Sequence, residues 1–61
     1  MKPYTFFKHD GSSVVPVFDL GEFEDDDAAR AHARELLRLG PEYTAIEVWD
    51  GRNDPFTVES P

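Results

Sequence analysis

The residues that draw chemical attention first are acidic. Asp19, Glu22, Glu24, Asp25, Asp26 and Asp27 place six carboxylates within nine positions. A hard cation such as calcium takes six to eight oxygens, and a loop rich in carboxylates can supply them. The spacing does not support that reading: there is no D-x-D-x-D-G run and no glutamate at a twelfth loop position. A helix start explains the run more economically, because carboxylates there meet free backbone N–H groups and the positive end of the helix dipole. His9 and His32 could in principle act as acid–base groups or ligands, but no H-x-x-x-H spacing joins them. Arg30, Arg34 and Arg38 follow one another every fourth residue, a stripe that could grip phosphate or an acidic partner. It is also explained by surface pairing of Arg30 with Asp26 and of Arg38 with Glu35. Ser12 and Ser13 lack a nucleophile-elbow context, and no glycine-rich phosphate cradle precedes a helix. With no cysteine, thiol catalysis, disulfides and Cys-ligated zinc are excluded. The residue pattern therefore assigns no catalytic, metal or cofactor-binding residue, and the expectation is a protein that is not an enzyme.

Composition narrows the class further. The chain has 61 residues and a formal charge of −7, set by 13 acids against 6 bases. That balance argues against nucleic acid as a partner, since nucleic-acid binding carries a basic footprint. No apolar run reaches the ~18 residues of a membrane helix, and the first residues lack the hydrophobic stretch of a signal peptide. The expectation is a soluble, cytoplasmic protein with no membrane partner. Aromatics make up 13 % of the chain, enough apolar area to disfavour disorder. One domain over residues 1–61 is expected, fraying at 1–2 and 59–61. For so short a chain the apolar burial and the ordering entropy nearly cancel, so dense aromatic packing or a second copy must contribute stability.

The elements follow from punctuation and period. Residues Tyr4 to His9 read as a strand ending at Asp10-Gly11, a hairpin signal because glycine accepts positive φ without a Cβ clash. Val14 to Phe18 reads as the returning strand, with Pro16 marking it as an edge strand. Asp19 to Asp27 reads as a loop bent at Gly21. Asp25 is the expected N-cap of a helix from Asp26 to Leu39, and Gly40 with Pro41 the expected left-handed stop. On a helical wheel Ala29, Ala33, Leu36 and Gly40 share one side, with Leu37 on one edge and His32 and Leu39 on the other. Thr44, Ile46 and Val48 alternate with Tyr43, Ala45, Glu47 and Trp49. Asp50-Gly51 repeats the turn signal before a short final strand, Phe56-Thr57-Val58.

One helix and two hairpins bury apolar area only if the helix crosses one face of a sheet. The expected fold class is therefore α+β, a ββαββ chain forming a mainly antiparallel four-stranded sheet with one helix on one face. The expected strand order is two-one-three-four, with a right-handed crossover through the helix. Phe6, Phe18, Ile46, Val48, Phe56 and Val58 are placed beneath the helix. The other face would then carry Phe7, Val15, Val17, Ala45 and Trp49, interrupted by Thr5, His9 and Glu47. Such an apolar patch commonly marks an interaction surface. It makes those five residues the candidate partner-binding set, for a homodimer or another protein. A loop folded over the patch, or the opposite parity of Tyr4 to His9 with Phe7 inside, would reduce it.

Three segments carry a resemblance: the aromatic strand ending in Asp10-Gly11, Asp25-Asp26-Asp27-Ala28-Ala29-Arg30-Ala31 opening the helix, and Ile46-Glu47-Val48-Trp49-Asp50-Gly51. Over about residues 4 to 58 the chain resembles a family of short proteobacterial proteins, a domain of unknown function with strand-strand-helix-strand-strand order. Lys8 stands where that pattern carries an apolar residue. Val17-Phe18-Asp19-Leu20-Gly21 followed by the acid-capped helix is also similar to HicB-like antitoxins. That likeness implies neutralising a small basic ribonuclease, without the DNA-binding extension such antitoxins use for autoregulation.

Overall fold

In a computed structural model, residues 1–11 and 17–60 are described. Their elements are β1 (Lys2–His9), β2 (Val17–Phe23), α1 (Asp26–Leu39), β3 (Ala45–Trp49) and β4 (Phe56–Glu59). The strands form one sheet in the order β2-β1-β3-β4, and each neighbouring pair is antiparallel. The fold is α+β, as the residue pattern implies. Because β2 and β3 both run against β1, they are parallel to each other, and α1 makes the crossover between them.

The turn and cap chemistry acts where expected at three places. Gly11 and Gly51 hold φ of 87° and 86°, the left-handed region that a Cβ disfavours. Asp25 is extended at the helix start, and its carboxylate accepts from the Ala28 N–H at 2.9 Å. Gly40 differs from expectation. Its φ is −117°, so it is not a left-handed cap. Its N–H still closes on the Leu36 carbonyl at 2.9 Å. Glycine is needed there because a Cβ would sit 2.6 Å from the Tyr43 ring.

The second strand also departs from expectation. It extends through Phe23, so the segment from Asp19 read as a loop is mostly ladder, while Val14, Val15 and Pro16 lie outside the described residues. Directly opposed residues of a ladder share a face, so the register sets the parity. Lys2, Tyr4, Phe6 and Lys8 face the same way as Phe23, Gly21, Asp19 and Val17. Phe6 is therefore inside and Phe7 outside. Phe18 pairs with Phe7 and lies on the open face rather than beneath the helix. Phe23 takes the interior place instead, with its ring 5.5 Å from Phe6 and 6.2 Å from Tyr4. Gly21 makes room for it, since a Cβ at Gly21 would lie 2.9 Å from the Phe23 ring.

The core lies between the helix and one sheet face. Tyr4, Phe6, Ile46, Val48 and Val58 meet Ala29, Ala33 and Leu37, with Phe23, Leu36, Tyr43 and Phe56 packed around them. The helix is turned slightly from the wheel reading, burying Leu37 and leaving Leu36 half-buried. The two alanines, both fully buried, permit close approach to the sheet. Residues near both ends of the described chain make ladder or backbone hydrogen bonds. Lys2 pairs with Phe23 and Glu59 with Ala45, and the Ser60 N–H donates to the Thr44 carbonyl at 2.9 Å.

Candidate functional site

The register assembles the face opposite the helix. Glu22, Leu20 and Phe18 of β2 lie beside Pro3, Thr5 and Phe7 of β1, and Trp49 and Glu47 of β3 flank Thr5 and Phe7 on the other side. Phe7 and Phe18 are tilted neighbours, ring centroids 6.3 Å apart. Leu20 is 74 % exposed, Phe18 57 % and Trp49 40 %, high values for such large apolar side chains. Leu20 and Trp49 stand on either side of Thr5 and wall an open groove of about 450 Å³ floored by Pro3 and Thr5.

Of the expected partner-binding residues, Phe7, Ala45 and Trp49 are on this face. Val17 is not. It opposes Lys8 and belongs to the helix side, because the strand's alternation is set by Phe18 facing Phe7. Val15 lies outside the described residues. Phe18 and Leu20 are the residues that sequence reasoning missed. Phe18-Asp19-Leu20-Gly21-Glu22-Phe23 does alternate, but one face reads Phe, Leu, Glu and the other Asp, Gly, Phe, so neither is uniformly apolar.

The face is apolar on one side and polar on the other. His9 Nε2 lies 3.6 Å from Glu47 Oε1, and Thr57 and Glu59 oppose Glu47 and Ala45 across β3–β4. Trp49 is oriented by its indole N–H, which donates to the Asn53 carbonyl at 3.0 Å. The turn behind it is organised by Asp50, which accepts from the backbone N–H groups of Arg52 and Asn53 and from the Asn53 side chain, at 2.9, 2.8 and 2.8 Å. Those donors, the two backbone groups foremost, hold the Asp50 carboxyl at a pKa of about 2. Asp50 thus keeps Trp49 at the end of the groove.

The acidic run is largely engaged in structure. Asp25 caps α1, Asp26 accepts from the Tyr4 hydroxyl at 2.7 Å, Asp27 pairs with Arg30 at 3.2 Å and Asp19 with Lys8 at 2.7 Å. The expected Asp26–Arg30 pair is replaced, because Asp26 turns toward Tyr4 and the guanidinium of Arg30 lies over the Phe56 ring at 4.7 Å. Arg38 pairs with Glu35 as expected, a contact that lowers the Glu35 pKa and raises that of Arg38. Lys8, the departure from an apolar pattern, is accommodated by the Asp19 carboxylate and the Tyr43 ring. The hydrogen bond to Asp19 raises its pKa.

The histidines are not brought together. His9 is on the open face, while His32 packs against Phe6 and Phe23 on the helix side, centroids 5.0 and 4.8 Å away. Among the described residues no group of three or more His, Asp or Glu side chains is arranged to hold a metal ion. No helix of the described residues is long and apolar enough to cross a membrane. Comparison with protein-family models, curated proteins and solved structures finds no match to this chain.

Proposed function

We propose that this chain is a small, non-catalytic protein-interaction domain whose docking surface for another protein, a second copy included, is the open sheet face. One observation carries the reading: Phe7, Phe18, Leu20 and Trp49 form an apolar group on a face that no helix of the described residues covers. Apolar groups of this kind on small proteins mark binding surfaces, and aromatic side chains supply most of the binding energy when they are buried by a partner. A cytoplasmic location, with neither nucleic acid nor membrane as partner and no cofactor, belongs to the same reading and rests on the acidic, cysteine-free composition.

The test is capture from the native host with the wild type and with Phe7→Lys/Trp49→Lys, beside the helix-surface control Arg34→Glu. Proteins retained by the wild type and the control but lost with the double variant support the reading. Identical retention by all three overturns it.

The antitoxin-like alternative, an acidic inhibitor of a small basic protein, is favoured by the exposed Glu22 and Glu24 beside the helix start. It is weakened by the engagement of Asp19, Asp25, Asp26 and Asp27 within the fold. A captured small basic protein released by raised salt would favour it.

A further inference from the structure

The two edges of the sheet differ in how they are guarded. Free strand edges present unpaired N–H and C=O groups that recruit another strand unless the edge is short or is blunted by proline, lysine or a bulge. Each edge strand follows a proline in the sequence, β4 after Pro55 and β2 after Pro16, so length is what separates them, and β4 has only four residues. The β2 edge runs for seven residues, from Val17 to Phe23, with no proline or lysine within it and an unbroken register against β1; its one inward-facing charge, Asp19, is already paired with Lys8. Its side chains include Val17, Phe18 and Leu20, each more than half exposed.

We propose that the free edge of β2 pairs antiparallel with β2 of a second copy, about a two-fold axis at Leu20, joining the two sheets into one of eight strands. This inference rests on the interaction-domain reading and names a partner, but it uses the backbone edge rather than the open face.

The register is argued from charge. A two-fold axis perpendicular to the sheet keeps each face continuous, so the axis must pass through a residue pair, and like charges directly opposed are unfavourable. An axis at Asp19 or at Glu22 sets a carboxylate against its own mate. An axis at Phe18 or Gly21 leaves part of the strand unpaired. With the axis at Leu20 every residue of β2 has a partner: Leu20 meets Leu20, Phe18 meets Glu22, Asp19 meets Gly21 and Val17 meets Phe23. No carboxylate opposes another. Lys8 already neutralises Asp19 at 2.7 Å. On the open face Leu20 and Phe18 of the two copies become contiguous.

The experiment combines sedimentation equilibrium with amide hydrogen exchange at several concentrations of the intact chain. The expected result is a concentration-dependent dimer of twice 6.9 kDa in which alternate β2 amides gain protection as the dimer forms. Leu20→Lys and Leu20→Glu should each weaken dimerisation on the order of tenfold or more, and their equimolar mixture should restore it as a heterodimer. Phe18→Lys, set against Glu22 of the second copy, should tighten the dimer at low salt and lose that gain at high salt. A monomer at every concentration overturns the edge pairing while leaving the open face free for a different protein. A dimer without β2 protection that Phe18→Lys weakens also overturns it, and assigns self-association to the open face. Circular dichroism of each variant confirms that loss of dimer is not loss of fold.

Discussion

The Tyr4 hydroxyl donates to the Asp26 carboxylate at 2.7 Å, tying the middle of the sheet to the first turn of the only helix among the described residues across 22 positions of sequence. The Tyr4 ring is almost wholly buried, so its one polar atom needs a partner. Asp26 provides it while keeping its place at the positive end of the helix dipole. Tyr4→Phe should keep the fold and lower the melting temperature by roughly 5 °C, read by thermal unfolding near neutral pH. Burial first, and then the bond to Asp26, raises the Tyr4 pKa. A raised folded-state pKa means stability that is complete below the ordinary tyrosine value and lost as pH rises through the folded one. The variant should therefore show a flatter alkaline limb than the wild type.

Asp50 gives the opposite limb. Its folded pKa of about 2 lies below the ordinary 3.8, so the stability it contributes is present above 3.8 and lost as pH falls toward 2. Asp50→Asn retains an oxygen that can accept from Arg52 and Asn53 but cannot titrate. Melting curves between these two pH values should converge for the variant and separate for the wild type. Because the turn orients the Trp49 indole, tryptophan emission recorded alongside should shift with acid in the wild type.

Gly40 and Gly51 should respond to alanine for different reasons. At Gly51 the φ of 86° is strained for any Cβ, yet nothing lies within 4 Å, so Gly51→Ala should cost about 1 kcal/mol. At Gly40 the backbone suits any residue, but the Tyr43 ring occupies the space. Gly40→Ala should cost about 1–3 kcal/mol by displacing that ring. Equal losses in chemical denaturation would contradict the assignment of one glycine to backbone and the other to packing.

Ala33 is fully buried where the helix crosses the sheet. Ala33→Leu adds apolar volume at a place with none to spare, and should destabilise by about 1–3 kcal/mol despite leucine's good helix propensity. The exposed Ala31→Leu is the control and should stay within about 0.5 kcal/mol of the wild type.

Phe18 and Leu20 make no closed core, so Phe18→Ser/Leu20→Ser should leave monomer stability little changed. Any larger loss that grows with protein concentration would report an oligomer rather than the monomer fold.

What the chain determines by itself is chiefly local. Asp25 with Gly40-Pro41 bounds the helix, and Asp-Gly at positions 10–11 and 50–51 sets the hairpin glycines, because each acts through the φ or the hydrogen bonds of its own neighbourhood. The layer arrangement was also legible, since one amphipathic helix and two hairpins leave few ways to bury apolar area. The parity and extent of β2 were not. Asp19 and Gly21 interrupt the inward alternation, and only packing explains them: Lys8 of the neighbouring strand neutralises the one, and the ring of Phe23, two residues on in the same strand, fills the space above the other. For the same reason Phe18 and Leu20 reached the open face only through pairing with Phe7 and Thr5, while Val17 left it. Strand direction and register are contacts between segments distant in sequence, and it was those contacts that decided which side chains the sheet shows to a partner.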